Sequence, residues 1–285
     1  MRFTPHILAL AGALCSAVAT ILLRQGLRHS NFYAGFWMNV VVGAIILWGA
    51  VFLLAPPASF QVQAIPFFIL SGLLGTATGR LLRVVSIEKV GAPVAASVNN
   101  LSPFIAVALA ILLLGERVTL PIFLGTLVIV AGTILLSLSS KHGGFRVTDL
   151  VYPFSSASCF GMVAIIRKLG LSRTGPLFGS AVNNITALVA YSIFLFLSGH
   201  RQAVVCRGSS LWYFIGAGIA ENASVFLVLV ALSLGEVSVV TPLAGTAPLF
   251  VLPMTSIFLR GVEKLSWQVV VGATLIVSGV FLLTA

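Results

Sequence analysis

Glu221 is the residue in this 285-residue chain whose position most demands an explanation. The chain holds six carboxylates: Glu88, Glu116, Asp149, Glu221, Glu236 and Glu263. Five fall at the ends of apolar runs or between them. Glu221 alone stands well inside one, in Gly216-Ala217-Gly218-Ile219-Ala220-Glu221-Asn222. A charge in mid-membrane costs about 2.5–3.5 kcal/mol even on the gentlest insertion scale, so it must face a cavity or a cation. It could carry a coupling proton or a solute's positive charge; the alternative is a structural partner for a buried arginine. Arg80 and Arg83 are the second anomaly. They sit three apart near the end of another apolar run and so share a helix face. Arg83 can snorkel to the headgroups, whereas Arg80 lies deeper and is expected to face a cavity. An anionic group on Arg80 and an amine on Glu221 would together hold a zwitterionic, amino-acid-like solute.

Amides and prolines complete the candidate set. Buried amides must be hydrogen-bonded. In a membrane they either bridge helices or touch solute. Asn99, Asn100 and Asn222 are the binding candidates, while Asn39 and Asn183 match each other across an internal repeat and are expected to bridge helices. Pro103, Pro242, Pro248 and Pro253 lie inside apolar runs, and each frees a backbone carbonyl that protein or water must satisfy. Kinks at Pro103, Pro242 and Pro248 are expected to make gating helices.

Catalysis needs groupings that are missing here. His6, His29, His142 and His200 lie at run ends or in connectors without a partner at ligand spacing. No paired aspartates, no nucleophile beside a base and no Gly-Lys-Ser/Thr phosphate loop occur. Cys15, Cys159 and Cys206 suit neither a metal nor a disulfide framework and read as small packing residues. No cofactor and no metal are expected.

The elements that must position these residues follow from composition. The chain is 59% hydrophobic and 8% charged; soluble domains carry about a quarter charged residues, so this is an integral membrane protein. The net charge of +10 is spread over span ends and short connectors. That distribution suits contact with a lipid bilayer and offers no basic face to nucleic acid. Ten apolar runs approach the roughly 20 residues a spanning helix needs. They cover 5–24, 33–55, 64–84, 91–114, 120–139, 150–168, 175–198, 210–232, 238–260 and 265–284. None alternates with period two, so they are helices and not barrel strands. The first could pass for a signal peptide ending at Ala17-Val18-Ala19, but with more runs behind it it is expected to stay as a helix. Connectors carry Pro56-Pro57, Gly91-Ala92-Pro93, His142-Gly143-Gly144, Gly175-Pro176 and Ser198-Gly199.

The ten runs repeat once, over 1–140 and 148–285. Cys15-Ser16-Ala17 reads beside Cys159-Phe160-Gly161, and Pro103, Gly125 and Gly132 read beside Pro248, Gly272 and Gly279. At these offsets Glu221 falls opposite Thr76 and Arg80 opposite Val225. Repeats with an odd number of spans must sit inverted relative to each other, an architecture of secondary transporters with the site where the halves meet. The Lys/Arg count on alternate connectors favours an external N-terminus.

The string Ser102-Pro103-Phe104 through Leu114-Gly115-Glu116-Arg117-Val118-Thr119 to Gly125 and Gly132, with its echo Ala247-Pro248-Leu249 through Glu263-Lys264-Leu265-Ser266 to Gly272 and Gly279, resembles the EamA family of the drug/metabolite transporter superfamily. So do the cations Arg24 and Lys168, which end the first helix of each half. The resemblance implies an all-α membrane protein of ten transmembrane helices in two inverted five-helix repeats. It also implies a central pathway along spans 1, 3, 4, 6, 8 and 9, and solute movement without ATP. Family members place both termini in the cytoplasm, opposite to the charge count. The expectation is a multi-pass secondary transporter of the cytoplasmic membrane, a monomer or weak homodimer, that moves an amino-acid-like or amine solute by alternating access. Proton coupling follows if Glu221 titrates. The alternatives are a non-transporting scaffold or receptor and, less favoured, an intramembrane enzyme.

Overall fold

A computed structural model describes residues 4–54, 61–90, 92–137, 146–199, 204–206, 208–258 and 267–284. The connectors Pro56-Pro57 and His142-Gly143-Gly144, and the second acidic hinge with Glu263 and Lys264, lie outside the described residues. Among those described, every regular element is a helix. In order they are α1 (Thr4–Gly26), α2 (Phe32–Leu54), α3 (Ile65–Ser71), α4 (Arg80–Val90), α5 (Ala92–Asn99), α6 (Ser102–Leu109), α7 (Leu120–Ser137), α8 (Val151–Leu171), α9 (Pro176–Leu197), α10 (Ser209–Leu234), α11 (Val237–Ala244), α12 (Ala247–Phe258) and α13 (Trp267–Thr284). Six apolar helical stretches are long enough to cross a bilayer, and four shorter ones join them, over Ser102–Leu114, Leu120–Leu135, Val237–Val251 and Val270–Leu283. Phe52, Leu112, Leu197, Trp212 and Phe281 all point outward and are exposed. Water would oppose so much apolar surface, and lipid accepts it.

With lipid outside, apolar burial no longer drives helices together, so small residues must let backbones touch. The seam between α7 and α13 is the clearest case. A Cβ on Gly132 would lie 2.7 Å from the Gly272 carbonyl oxygen, and one on Gly125 would lie 2.9 Å from that of Gly279. The glycines that match across the repeat therefore pack crosswise, which makes α7 and α13 antiparallel. α1 runs antiparallel to α10 in the same way, with Gly12 against Val228 and Gly26 against Phe214. α3 and α4 run antiparallel to α8, with Gly75 on Val163 and Phe68 on Gly170.

Two departures from regular helix matter for the site. Between α3 and α4 the chain winds as a π-helix over Gly72–Gly79. Pro66, Ile69, Leu70 and Leu73 form an exposed stripe at α-helical spacing. Continued at 3.6 residues per turn, that stripe would meet Ala77 and Arg80. The next exposed position is instead Thr78, and Arg80 turns inward. π-Turns of this kind recur at functional sites because they re-aim one face of a helix.

The second departure is that the fourth and ninth apolar runs are broken rather than kinked. The gaps fall at Asn100-Leu101 and at Gly245-Thr246. Pro103 and Pro248 follow in the first turn of α6 and α12, where a missing N–H costs nothing. Pro242 lies inside α11 and Pro253 inside α12. The two breaks meet: a Cβ on Gly245 would lie 3.2 Å from Pro103 Cγ.

Candidate functional site

The inward turn of Arg80 brings it to Glu221. Arg80 Nη2 stands 3.1 Å from Glu221 Oε1, joining α4 of the first half to α10 of the second. The side chains are 27% and 26% exposed. On α10, Ile219 faces outward, and Glu221, two residues on, points to nearly the opposite side of the helix. The partial exposure of the pair therefore lies on the inner side of α10, away from its outward face. The guanidinium carbon also lies 5.0 Å above the ring of Phe36, a cation–π contact. Phe36 is held edge-on by Tyr191 at 4.4 Å, and the Tyr191 hydroxyl donates to the Tyr33 carbonyl.

Two more guanidinium groups share this field. Arg83, exposed and three residues beyond Arg80, lies within electrostatic range of Arg80 and of Glu221. Arg167, inside α8, lies within range of the same two residues. Its Nε donates to Ser71 Oγ at 2.9 Å and its Nη2 to Asn183 Oδ1 at 3.5 Å. Ser71 Oγ in turn donates to Asn183 Oδ1 at 2.7 Å. Arg167 reads as a connector charge on its position near the end of its run. α8 continues to Leu171, however, and carries Arg167 into the bundle.

Asn222 adjoins Glu221 in sequence but is spent on structure. Its Oδ1 accepts from Asn184 Nδ2 at 2.9 Å, and its Nδ2 donates to the carbonyls of Asn39 at 3.1 Å and Gly218 at 2.8 Å. It ties α10 to α2 and α9, and a Cβ on Gly43 would run into both amides. Asn183 serves a bridge, as its match to Asn39 suggests, while Asn39 contributes through its backbone. Asn99 and Asn100 stand at the break of the fourth run, and the buried Asn99 Oδ1 has no hydrogen-bond partner among the described residues.

A separate corner explains the Gly-Glu motif. Gly115 takes φ +66°, a left-handed conformation open to glycine, and turns the chain out of a π-helical end over Ala110–Leu114. Glu116 then reaches α11, where Oε1 accepts from the Val237 amide at 2.8 Å and Oε2 from the Ser238 amide at 2.9 Å. A carboxylate there satisfies two orphan donors and the positive end of the helix dipole. Lys168 caps the adjoining end of α10, its Nζ donating to the Leu232 and Gly235 carbonyls at 2.7 and 2.6 Å. Its matched cation Arg24 is exposed.

An all-helical membrane protein with two repeats and paired charges between them is the class that this geometry defines. The model of the EamA-like transporter family matches residues 4–138 and again 150–285, so the chain belongs to that family, whose members are transporters. It is 32% identical over 104 residues to an uncharacterized protein, MJ1333.1, of Methanocaldococcus jannaschii, covering 36% of this chain and 76% of that one. A solved crystal structure titled only as that of a protein superposes with a TM-score of 0.83 at 16% identity, over 99% of this chain and 96% of the other. That likeness concerns the fold alone.

Proposed function

We propose that this protein is a secondary transporter. It moves a small charged metabolite across the cytoplasmic membrane by alternating access, with its site at Arg80 and Glu221. The observation that carries the reading is the ion pair itself: it joins matched helices of the two halves and is about a quarter exposed. A scaffold would gain by keeping its centre dry and apolar, since desolvating two charges tends to cancel what their attraction contributes. The six long helices and four shorter ones are counted as ten spans, in repeats over 1–140 and 148–285. The repeats are inverted, a reading supported by the antiparallel packing of α7 on α13. The facing breaks in the fourth and ninth runs are the moving gates, with Pro103, Pro242 and Pro248 beside them. Because Arg80 and Glu221 carry opposite charges, an amino-acid-like solute could replace each partner of the pair in turn. Export and import are both open to this geometry.

Purified protein in sealed vesicles tests the reading, with labelled solutes supplied outside and unlabelled ones trapped inside. Saturable exchange is expected, and protein-free rates for every solute would refute transport. If Glu221 carries the coupling proton, exchange depends on pH; a pH-independent rate in an otherwise active protein would remove the proton from the mechanism.

A further inference from the structure

The charges around the pair do not balance. Among the described residues, three guanidinium groups, on Arg80, Arg83 and Arg167, share the field of one carboxylate, Glu221. Among the six carboxylates of the chain, Glu221 alone lies in mid-span, and it already bonds Arg80 at 3.1 Å. A solute amine could reach Glu221 only by displacing Arg80, which would leave three cations and no free counter-charge between them. Uncompensated charge inside a membrane is expensive, so an amine makes this site worse. An anion makes it better, because it supplies the charge that the protein withholds.

We infer that the site takes a net-anionic metabolite, carrying at least one more carboxylate or phosphate group than ammonium groups. The inference rests on the transporter reading and narrows its solute class.

The geometry supplies a field and a grip. Arg83 is the more exposed cation and Arg80 stands one helical turn from it along α4, so the two guanidinium groups together raise the positive potential over that stretch of the helix. Arg167 approaches from α8, its fork steadied by Ser71 and Asn183. Those contacts use two of the five N–H donors a guanidinium has. Planar donors on two helices suit the bidentate binding of carboxylate or phosphate oxygens. Closing over an anion would then draw α4 and α8 together around it.

The test is exchange in vesicles containing the full chain. Glutamate, succinate and glycerol 3-phosphate are compared with alanine and with putrescine. Preference for the first three is expected, and the split among them separates carboxylate from phosphate recognition. Transport of alanine or putrescine in preference to all three would overturn the inference and leave the transporter reading standing. Failure of every solute to exchange would overturn both.

A second arm uses Arg167→Gln, which keeps a hydrogen-bonding side chain toward Ser71 and Asn183 while removing the charge. Its KM for the preferred anion should rise about ten-fold or more, since a hydrogen bond from a charged donor is lost. Arg167→Lys should recover part of the affinity. Thermal unfolding of each variant in detergent reports whether it folds. A folded Arg167→Gln protein with unchanged KM would contradict the assignment.

Discussion

Two contacts between the halves of this molecule are made by matched helices, and they follow opposite rules. In the seam of α7 and α13 like meets like. Gly125 packs on Gly279 and Gly132 on Gly272, backbone against backbone. In the contact of α4 and α10 unlike meets unlike: Arg80 pairs with Glu221, although the repeat places Thr76 opposite Glu221 and Val225 opposite Arg80. The first contact obeys the symmetry and is closely packed. The second breaks the symmetry and is partly exposed. Symmetric packing can be inherited by copying one half, whereas a charge pair needs the copies to diverge. On the proposed function, the seam is scaffold and the divergent contact is the place to look for solute chemistry.

The sharpest way to break this comparison is to fill the seam. Gly132→Val forces side-chain atoms onto a backbone carbonyl that cannot retreat. The cost is expected to be at the upper end of the roughly 1–3 kcal/mol typical of overpacking, or beyond it. Unfolding in detergent and recovery of monodisperse protein measure it, and exchange per folded molecule should stay normal. Glu221→Gln should do the reverse. Because the pair is partly exposed, the melting temperature should fall modestly, while exchange drops by about a hundred-fold or more as Arg80 loses the partner to which it returns when solute leaves.

Asn222→Ala discriminates between neighbours on one helix. It removes three hydrogen bonds, each worth about 0.5–1.5 kcal/mol in net terms, and should lower stability with KM little changed. A large KM effect would return Asn222 to the solute site. The smallest effect is expected from Glu116→Gln, which keeps one acceptor at the start of α11. A loss of about 0.5–2 kcal/mol is the usual scale for a helix cap, read as a small drop in melting temperature.

Much of this was legible in the residues, and what was not has physical causes. Glu221 and Arg80 announce themselves because charge in a bilayer is costly. Their pairing is hidden, because the π-helix over Gly72–Gly79 shifts the face of everything after it, and spacing arguments assume an unbroken α-helical period. The matched glycines are visible as a repeat, but periodicity assigns a residue to a face and not to a partner. The crosswise contacts are a property of the three-dimensional packing alone. Prolines suggested kinks where the chain has breaks, since Pro103 and Pro248 are as comfortable in a first turn as at a bend. Arg167 passed for a connector charge because the end of its apolar run is blurred by Lys168 beside it. Asn222 could not be sorted in advance, because an amide suits a bridge and a binding site equally well.

The central claim is that the partly exposed contact of Arg80 with Glu221 is the solute site. It is tested most directly by exchange of labelled solute in vesicles holding equal amounts of folded wild-type, Arg80→Ala, Glu221→Gln and Asn222→Ala protein. The account predicts that the first two substitutions abolish saturable exchange and that the third preserves it. Unchanged exchange in both charge variants would show that the pair is structural and that the solute passes elsewhere.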